Sequence, residues 1–427
     1  MIKNILAINP WIYDFAAYDF WLKPYGFLSL LTYLSKKGSQ ITYIDCLDKK
    51  ISCDRLGRGK YYSEIIEKPP VYKSIPRYFK RYGITPDEFE KRIIESKADY
   101  VLITSSMTYW YPAIIDAVRI IRKHLPDSKV ILGGTYATLC LGHAKKNIPC
   151  DFVFPNESLK EFFKLMDIEF KPYELYSTLP DYENFYSNLD YVVMRTSWGC
   201  PYECSFCAIK KLCPESYGLK SNSILDFINK YAGKGIKNFV LYDDAFLYDQ
   251  KQVKLILNYI IDNELDISFH TPNALHLRFV DYEIARLLKK AGFINPHFGL
   301  ETLNPRLQKS WGDKADRNDL LRAVGFLKKA GFRNGEFSVY LLLGFPGQNI
   351  DELKQEVEFL NSQGAKVSLA EFSPVPQTRL YKKYSESFSE PLMHNNSIFA
   401  SLNKTDIKEF WDIKNYVRGL NQKLKTG

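Results

Sequence analysis

Three cysteines, Cys200, Cys204 and Cys207, stand at C-x3-C-x2-C spacing in the run Cys200-Pro201-Tyr202-Glu203-Cys204-Ser205-Phe206-Cys207. A loop wound this tightly can turn three thiolates toward one face of a metal cluster. Thiolates are the ligands of iron–sulfur clusters, and a [4Fe–4S] cube has four irons. Three local ligands leave one iron open, where a small molecule can bind and accept an electron. A structural zinc site is the competing reading. Zinc needs four protein ligands there and favours paired C-x2-C or histidine elements, and the chain has no second C-x-x-C pair. Cys213, in Leu212-Cys213-Pro214, imitates a ferredoxin-type Cys-Pro but reads as an ordinary buried thiol.

The elements that must position these thiols alternate between strands and helices. From Tyr191 the pattern predicts six strands, near 191–197, 237–242, 266–270, 295–300, 336–343 and 366–372. Helices are predicted between them near 221–232, 250–262, 281–291, 316–330 and 350–363. This is a partial (β/α)6 barrel over residues 190–376, in which chemistry gathers at the C-terminal ends of the strands. The Cys loop directly follows the first of these strands. Residues 1–156 alternate in the same way and predict an α/β, doubly wound, Rossmann-like parallel sheet. A polar stretch at about 47–95, broken by Gly57, Gly59 and Pro69-Pro70, reads as an insertion. Residues 157–189 read as a linker and residues 377–427 as a C-terminal helical cap, helical near 404–423.

Composition bounds the function classes. The 427 residues carry 46% hydrophobic residues, enough for two or three packed cores. The longest apolar runs, such as Val339 to Phe345, fall short of the about 20 residues that span a bilayer. The N-terminus runs directly into a strand, so a cytoplasmic protein with no membrane partner is expected. Eight cysteines in a reducing compartment favour metal or catalytic use over disulfides. A net charge of +9 is mild at this length, and no long basic run lies near the Cys loop, so nucleic acid is not an expected partner.

C-x3-C-x2-C with Phe206 before the last cysteine resembles the radical S-adenosylmethionine (SAM) enzymes, and the resemblance covers roughly residues 190–380. It implies that the open iron chelates SAM, and that an electron from a donor such as flavodoxin or ferredoxin cleaves SAM to a 5′-deoxyadenosyl radical. The second strand ends Tyr242-Asp243-Asp244, where related enzymes contact the SAM ammonium; a helix N-cap by Asp244 or Asp249 is the alternative. Glu301, ending the fourth strand, is placed to accept from ribose hydroxyls. Asn273 or Arg278, after the third strand, could reach SAM or substrate, and His270 could be a satisfied core histidine. The fifth strand closes with Leu343-Gly344-Phe345-Pro346-Gly347, where backbone could approach adenine and Phe206 could stack on it. Glu371, on the sixth strand, is aimed at the same mouth.

The N-terminal domain resembles in part the cobalamin-binding domain of one radical SAM subgroup. Ser105-Ser106-Met107 resembles that domain's Ser-x-Leu element, and Gly133-Gly134 its Gly-Gly. Its first element, Asp-x-His-x-x-Gly, is missing. The first loop reads Asn9-Pro10-Trp11-Ile12-Tyr13-Asp14-Phe15, and His124 is the first histidine in the chain. Cobalamin without a histidine ligand, covered by Trp11, Tyr13 or Tyr109, is one reading; a domain without the cofactor is the other. The functional expectation is cobalamin-dependent methylation of an unreactive carbon of an unknown substrate. The alternatives are a cobalamin-free radical SAM enzyme, acting by rearrangement, cyclisation or sulfur insertion, and a non-catalytic Fe–S or nucleic-acid-binding protein.

Overall fold

The computed structural model describes residues 3–383, 388–398 and 407–426. The chain forms two compact units, one of Met1–Asp190 with Lys211–Pro214 and Tyr384–Asn395, the other of Tyr191–Lys210, Glu215–Lys383 and Asn396–Gly427.

The first unit is built on five parallel strands: β1 (Asn4–Asn9), β2 (Gln40–Asp45), β3 (Tyr100–Ile103), β4 (Lys129–Leu132) and β5 (Phe152–Val153). Their spatial order is β5-β4-β3-β1-β2, a doubly wound arrangement that opens a crevice at the C-terminal ends of the paired neighbours β1 and β3, where the strand order reverses. Continuous apolar runs such as Ile5–Ile8 suit strands covered on both faces. The helix Tyr25–Lys36 (α1) joins β1 to β2. The helix Tyr111–His124 (α2) buries a stripe of Ala113, Ile114, Ala117, Val118 and Ile121, and ends in Arg122, Lys123 and His124, where cations suit the helix dipole. Two short helices, Thr135–Leu139 and Leu141–Asn147, follow β4 and are parted at Cys140.

The insertion is more ordered than its polar composition suggests. Ile12–Asp14, in the loop after β1, pairs antiparallel with Lys80–Tyr82, which pairs in turn with Ser63–Ile65. A second small ladder joins Lys50–Cys53 to Gly59–Tyr61. Residues 157–189 fold with this unit and carry the helices Leu159–Leu165 and Pro172–Tyr176. Part of the expected C-terminal cap also belongs here. His394 is partnered by Thr108 Oγ1 at 3.0 Å, Asn395 donates to Asp14 at 2.9 Å, and Tyr111 donates to Glu390 at 3.0 Å.

The second unit holds two parallel sheets. One runs β6 (Val192–Met194), β7 (Asn238–Leu241), β8 (Ser268–His270); the other runs β9 (Leu275–His276), β10 (His297–Glu301), β11 (Ser338–Leu343), β12 (Lys366–Glu371). The expected third strand, near 266–270, is β8; a short strand that was not expected, β9, follows after 271–274, and the isolated bridge Phe269–Phe293 joins β8 to the chain that leads into β10. Amphipathic helices Ser221–Gly233 (α3), Gln250–Asp262 (α4), Tyr282–Lys290 (α5), Arg317–Lys329 (α7) and Ile350–Ser362 (α8) separate the strands, with the short helix Pro305–Trp311 (α6) after β10. The helix Ile407–Thr426 (α9) packs on α8 and β12. Residues 404–406 of the expected cap helix lie outside the described residues. On α9, Asn421 satisfies both backbone groups of Val367, donating to its carbonyl at 2.8 Å and accepting from its N–H at 2.9 Å, and so closes the exposed edge of β12.

Candidate active site

The Cys loop leaves β6 through Arg195-Thr196-Ser197-Trp198-Gly199, and the two aspartates ending β7 hold that exit. Asp243 is 2% exposed. Its carboxylate accepts from Thr196 N at 2.9 Å, Thr196 Oγ1 at 2.6 Å, Ser197 N at 2.8 Å and Ser197 Oγ at 3.1 Å. Burial raises its pKa, and the Thr196 bonds and the Arg195 charge oppose that rise. Asp244 accepts from Arg195 at 2.6 Å and from Gly199 N at 3.1 Å. The Arg195 guanidinium lies over the Trp198 ring, 4.3 Å from its centroid. Asp243 therefore differs from the expected ammonium contact: its oxygens are taken up inside the protein, and its work is to position the loop. The N-cap of α4 is Asp249, not Asp244.

The far side of the loop is fixed by the segment after β10. Ser205 N donates to Trp311 O at 3.0 Å, and Leu380 N donates to Ser205 O at 2.8 Å. Gly312, at φ +120°, lies so close that a Cβ there would be 3.1 Å from the Cys204 Cα. Phe206 meets Trp311 edge-on at 5.9 Å, and Trp311 meets Phe345 edge-on at 5.0 Å. The aromatic partner of Phe206 is thus Trp311. Gln348 closes the turn after β11 by accepting from Gly344 N at 2.6 Å and donating to Leu342 O at 2.8 Å, with Leu343 buried beneath.

Within this frame Cys200 is buried, Cys204 partly buried and Cys207 exposed. Burial raises all three thiols, Cys204 to about 11, and the Lys314 charge pulls each of them down. Among the described residues no three ligands converge closely enough to hold a single metal ion. A cube asks for a different arrangement, one iron per thiolate, and the three thiols sense one another electrostatically. The donor set fits a [4Fe–4S] cluster. Cys213 is 4% exposed and lies in the Lys211–Pro214 segment grouped with the first unit.

Three residues beyond the expected set shape the site. The Lys314 ammonium lies 3.1 Å from Glu301. A Cβ on Gly299 would run into that ammonium, so the glycine at 299 makes room for it. Burial works to lower the Lys314 pKa, but Glu301 and Cys204 more than offset it and the net shift is upward. Glu301 itself sits at φ +72°, on a bulge in β10 that turns its carboxylate. His276, 3% exposed, stacks on Tyr202 with centroids 5.2 Å apart, and burial pushes its pKa down to about 3.

The remaining expected residues are placed as follows. Asn273 is exposed in the break between β8 and β9 and donates to Tyr242 O at 2.9 Å. Arg278 is committed to Asp319, at 3.0 Å, and to the Tyr202 hydroxyl, so it steadies the loop from outside. His270 is a core histidine bonded to Asn238 at 2.9 Å. Glu371 pairs with Lys414 of α9, which takes its carboxylate away from the expected role at the mouth.

Residues 194–360 match the model of the radical SAM superfamily. That span contains the Cys loop, both aspartates, His276, Glu301 and Lys314. This stretch of the chain carries a radical SAM domain. Its relatives include an uncharacterized methyltransferase, PH0819 of Pyrococcus horikoshii, 24% identical over 70% of this chain and 72% of that protein. Among solved structures, the radical SAM methyltransferase TsrM from Kitasatospora setae, with cobalamin and a [4Fe–4S] cluster bound, superposes with TM-score 0.67 at 15% identity, over 90% of this chain and 75% of that one. The cobalamin-dependent radical SAM enzyme OxsB, with aqua-cobalamin bound, superposes with TM-score 0.58 at 13% identity, over 92% of this chain and 56% of that one. At these identities the likeness shows a shared fold: a Rossmann-like unit followed by a radical SAM barrel. Among the described residues no helix is long and apolar enough to cross a membrane.

In the first unit, Ser105 ends β3 and Gly133-Gly134 end β4. The Ser105 hydroxyl donates to Gly133 O at 2.6 Å and accepts from Ala137 N at 3.3 Å. Gly134 is at φ +91°, and a Cβ there would meet the Ser105 backbone, N at 2.8 Å and O closer still. The close approach at Gly134 is therefore to Ser105. Over Gly133 the nearest atom to a Cβ would be Phe154 O, at 3.8 Å. Gly133 is thus less crowded than Gly134. His124 bonds Glu90 at 2.5 Å and His143 bonds Tyr136 at 2.6 Å, so each has a protein partner.

Proposed function

We propose that this radical SAM enzyme methylates an unreactive carbon and uses cobalamin as the methyl carrier. The observation that carries the reading is the joining, in one chain, of a β5-β4-β3-β1-β2 crevice and a three-thiol loop at a barrel mouth. The fold likeness to TsrM and OxsB supports it. The cluster, held by Cys200, Cys204 and Cys207, supplies one-electron chemistry to SAM, with electrons from a donor of the flavodoxin or ferredoxin class. Asp244, Glu301 and Lys314 line the mouth as its charged groups, Phe206, Leu343 and Gly344 as its apolar and backbone wall. Ser105 and Gly133 would receive the cobalamin tail.

The first loop gives cobalt no imidazole, because Asn9 to Phe15 contains no histidine. Bound cobalamin is therefore expected base-off, with no nitrogen ligand from the protein. Electron paramagnetic resonance of the Co(II) form in anaerobically reconstituted protein tests this, and nitrogen superhyperfine splitting would contradict it. A second reading, a radical SAM enzyme without cobalamin, draws on the closed Ser105–Gly134 contact. No cobalamin binding at about micromolar concentration, a binding free energy near 8 kcal/mol, would promote it.

A further inference from the structure

His276 ends β9 with its ring almost wholly enclosed. Its Nε2 lies 3.9 Å from Cys200 Sγ, while its Nδ1 is buried with no partner. Tyr202 lies flat against the ring, at 14° between planes, and Phe279 closes a second side at 5.9 Å. Two observations are thus independent: the ring is held in place by packing, and its single hydrogen-bond contact is a cysteine of the cluster loop. A buried N–H without an acceptor costs more than a lone pair left empty, because orphaned donors are the rarer of the two in folded proteins. The arrangement that satisfies the ring puts the proton on Nε2 and leaves Nδ1 bare.

We infer that His276 donates its Nε2 hydrogen to the Cys200 thiolate and so raises the reduction potential of the cluster. The inference rests on the cluster reading above. Reduction adds negative charge to the iron–sulfur core and its thiolates. A donor aimed at one of those sulfurs stabilises the reduced form more than the oxidised form, and hydrogen bonds to the sulfurs are among the levers that set such potentials. His276 acts through Cys200 and is a positioning and potential-setting residue.

The test compares His276→Phe and His276→Gln with the wild-type holoenzyme by redox titration monitored by electron paramagnetic resonance, alongside iron and sulfide content. Phenylalanine keeps the stack on Tyr202 and removes the donor; glutamine keeps a donor at nearly the same reach. The His276→Phe potential is expected to fall by an amount equal to about tenfold in the reduction equilibrium, 59 mV for a one-electron couple, with glutamine restoring most of it. An unchanged potential in His276→Phe, or an equal fall in both variants, overturns the inference and leaves the cluster reading standing. A wild-type protein that takes up no iron and sulfide overturns both. If His276→Phe assembles no cluster, the wild type decides: pulsed double resonance on the reduced cluster should show an exchangeable proton that is lost in D2O, and its absence overturns the inference.

Discussion

The Lys314 ammonium sits 3.1 Å from the Glu301 carboxylate, in the space that a side chain on Gly299 would fill. The ammonium puts a positive charge beside the three thiols and lowers the pKa of each, against their burial and, at Cys204, against Glu301. Lys314→Met is expected to weaken SAM binding to the reconstituted protein at least tenfold, about 1.4 kcal/mol, by isothermal titration. Gly299→Ala should reproduce part of that loss, because its methyl displaces the ammonium. Unchanged affinity in both variants would remove the pair from the SAM site.

Cys200, Cys204 and Cys207 are each expected to be indispensable to the cluster. Replacing any one with alanine should remove the charge-transfer absorbance and SAM cleavage together. Full iron content in Cys204→Ala would contradict the ligand assignment.

Asp243 is expected to matter for the fold of the loop rather than for SAM. Asp243→Ala strands the backbone donors of Thr196 and Ser197 in a buried place. At about 1–3 kcal/mol for each unsatisfied group, urea unfolding should show a loss of at least about 2 kcal/mol. Asp244→Ala breaks the ion pair with Arg195 and should cost less.

Gly134→Ala combines a left-handed backbone with a collision against Ser105 and should destabilise the first unit by more than about 1 kcal/mol. Gly133→Ala, whose nearest neighbour would be 3.8 Å away, should fold normally. A Gly134→Ala protein with wild-type stability would show that the contact with Ser105 is not the reason for the glycine.

His394 should make the first unit sensitive to acid. Burial holds its pKa at about 4, below the 6.5 of a free imidazole. A histidine with a lowered pKa in the fold contributes stability above the unfolded value and loses it as pH falls. The loss should run from about pH 6.5 to 4 and reach about 3 kcal/mol. Thermal melts of the wild type and His394→Gln across that window check it, and the variant should lack the slope.

The fold was legible where periodicity was strong. α4 and α8 appear within a residue of where the apolar pattern puts them, because each buries a continuous stripe. The extra strand β9 is not legible in the sequence, because two residues after Pro272 and Asn273 are too few to show a period. At the site, the thiols announced themselves by type and spacing. Lys314 and His276 did not. Each lies in an ordinary stretch of sequence and is brought to the loop by packing, Lys314 by the turn after α6 and His276 by its stack on Tyr202. Gly299, directly after Phe298 in β10, was the one local hint of a large group pressing on a strand. Asp243 and Glu371 illustrate the converse: a carboxylate at a strand end looks free in sequence, and the fold shows which groups of the protein already partner it.

The pairing of Ile12–Asp14 with Lys80–Tyr82 has a bearing on how this protein can be shortened. The stretch between β2 and β3 has the outward look of a surface excursion that a tight turn could replace. Yet its far end supplies the backbone partners of the strand just after β1. Cutting it out would leave the amides and carbonyls of residues 12–14 without their ladder, beside the very crevice whose contents such a minimal protein would be made to study. The excursion is a wall of the first unit, and any smaller version of this protein has to keep it.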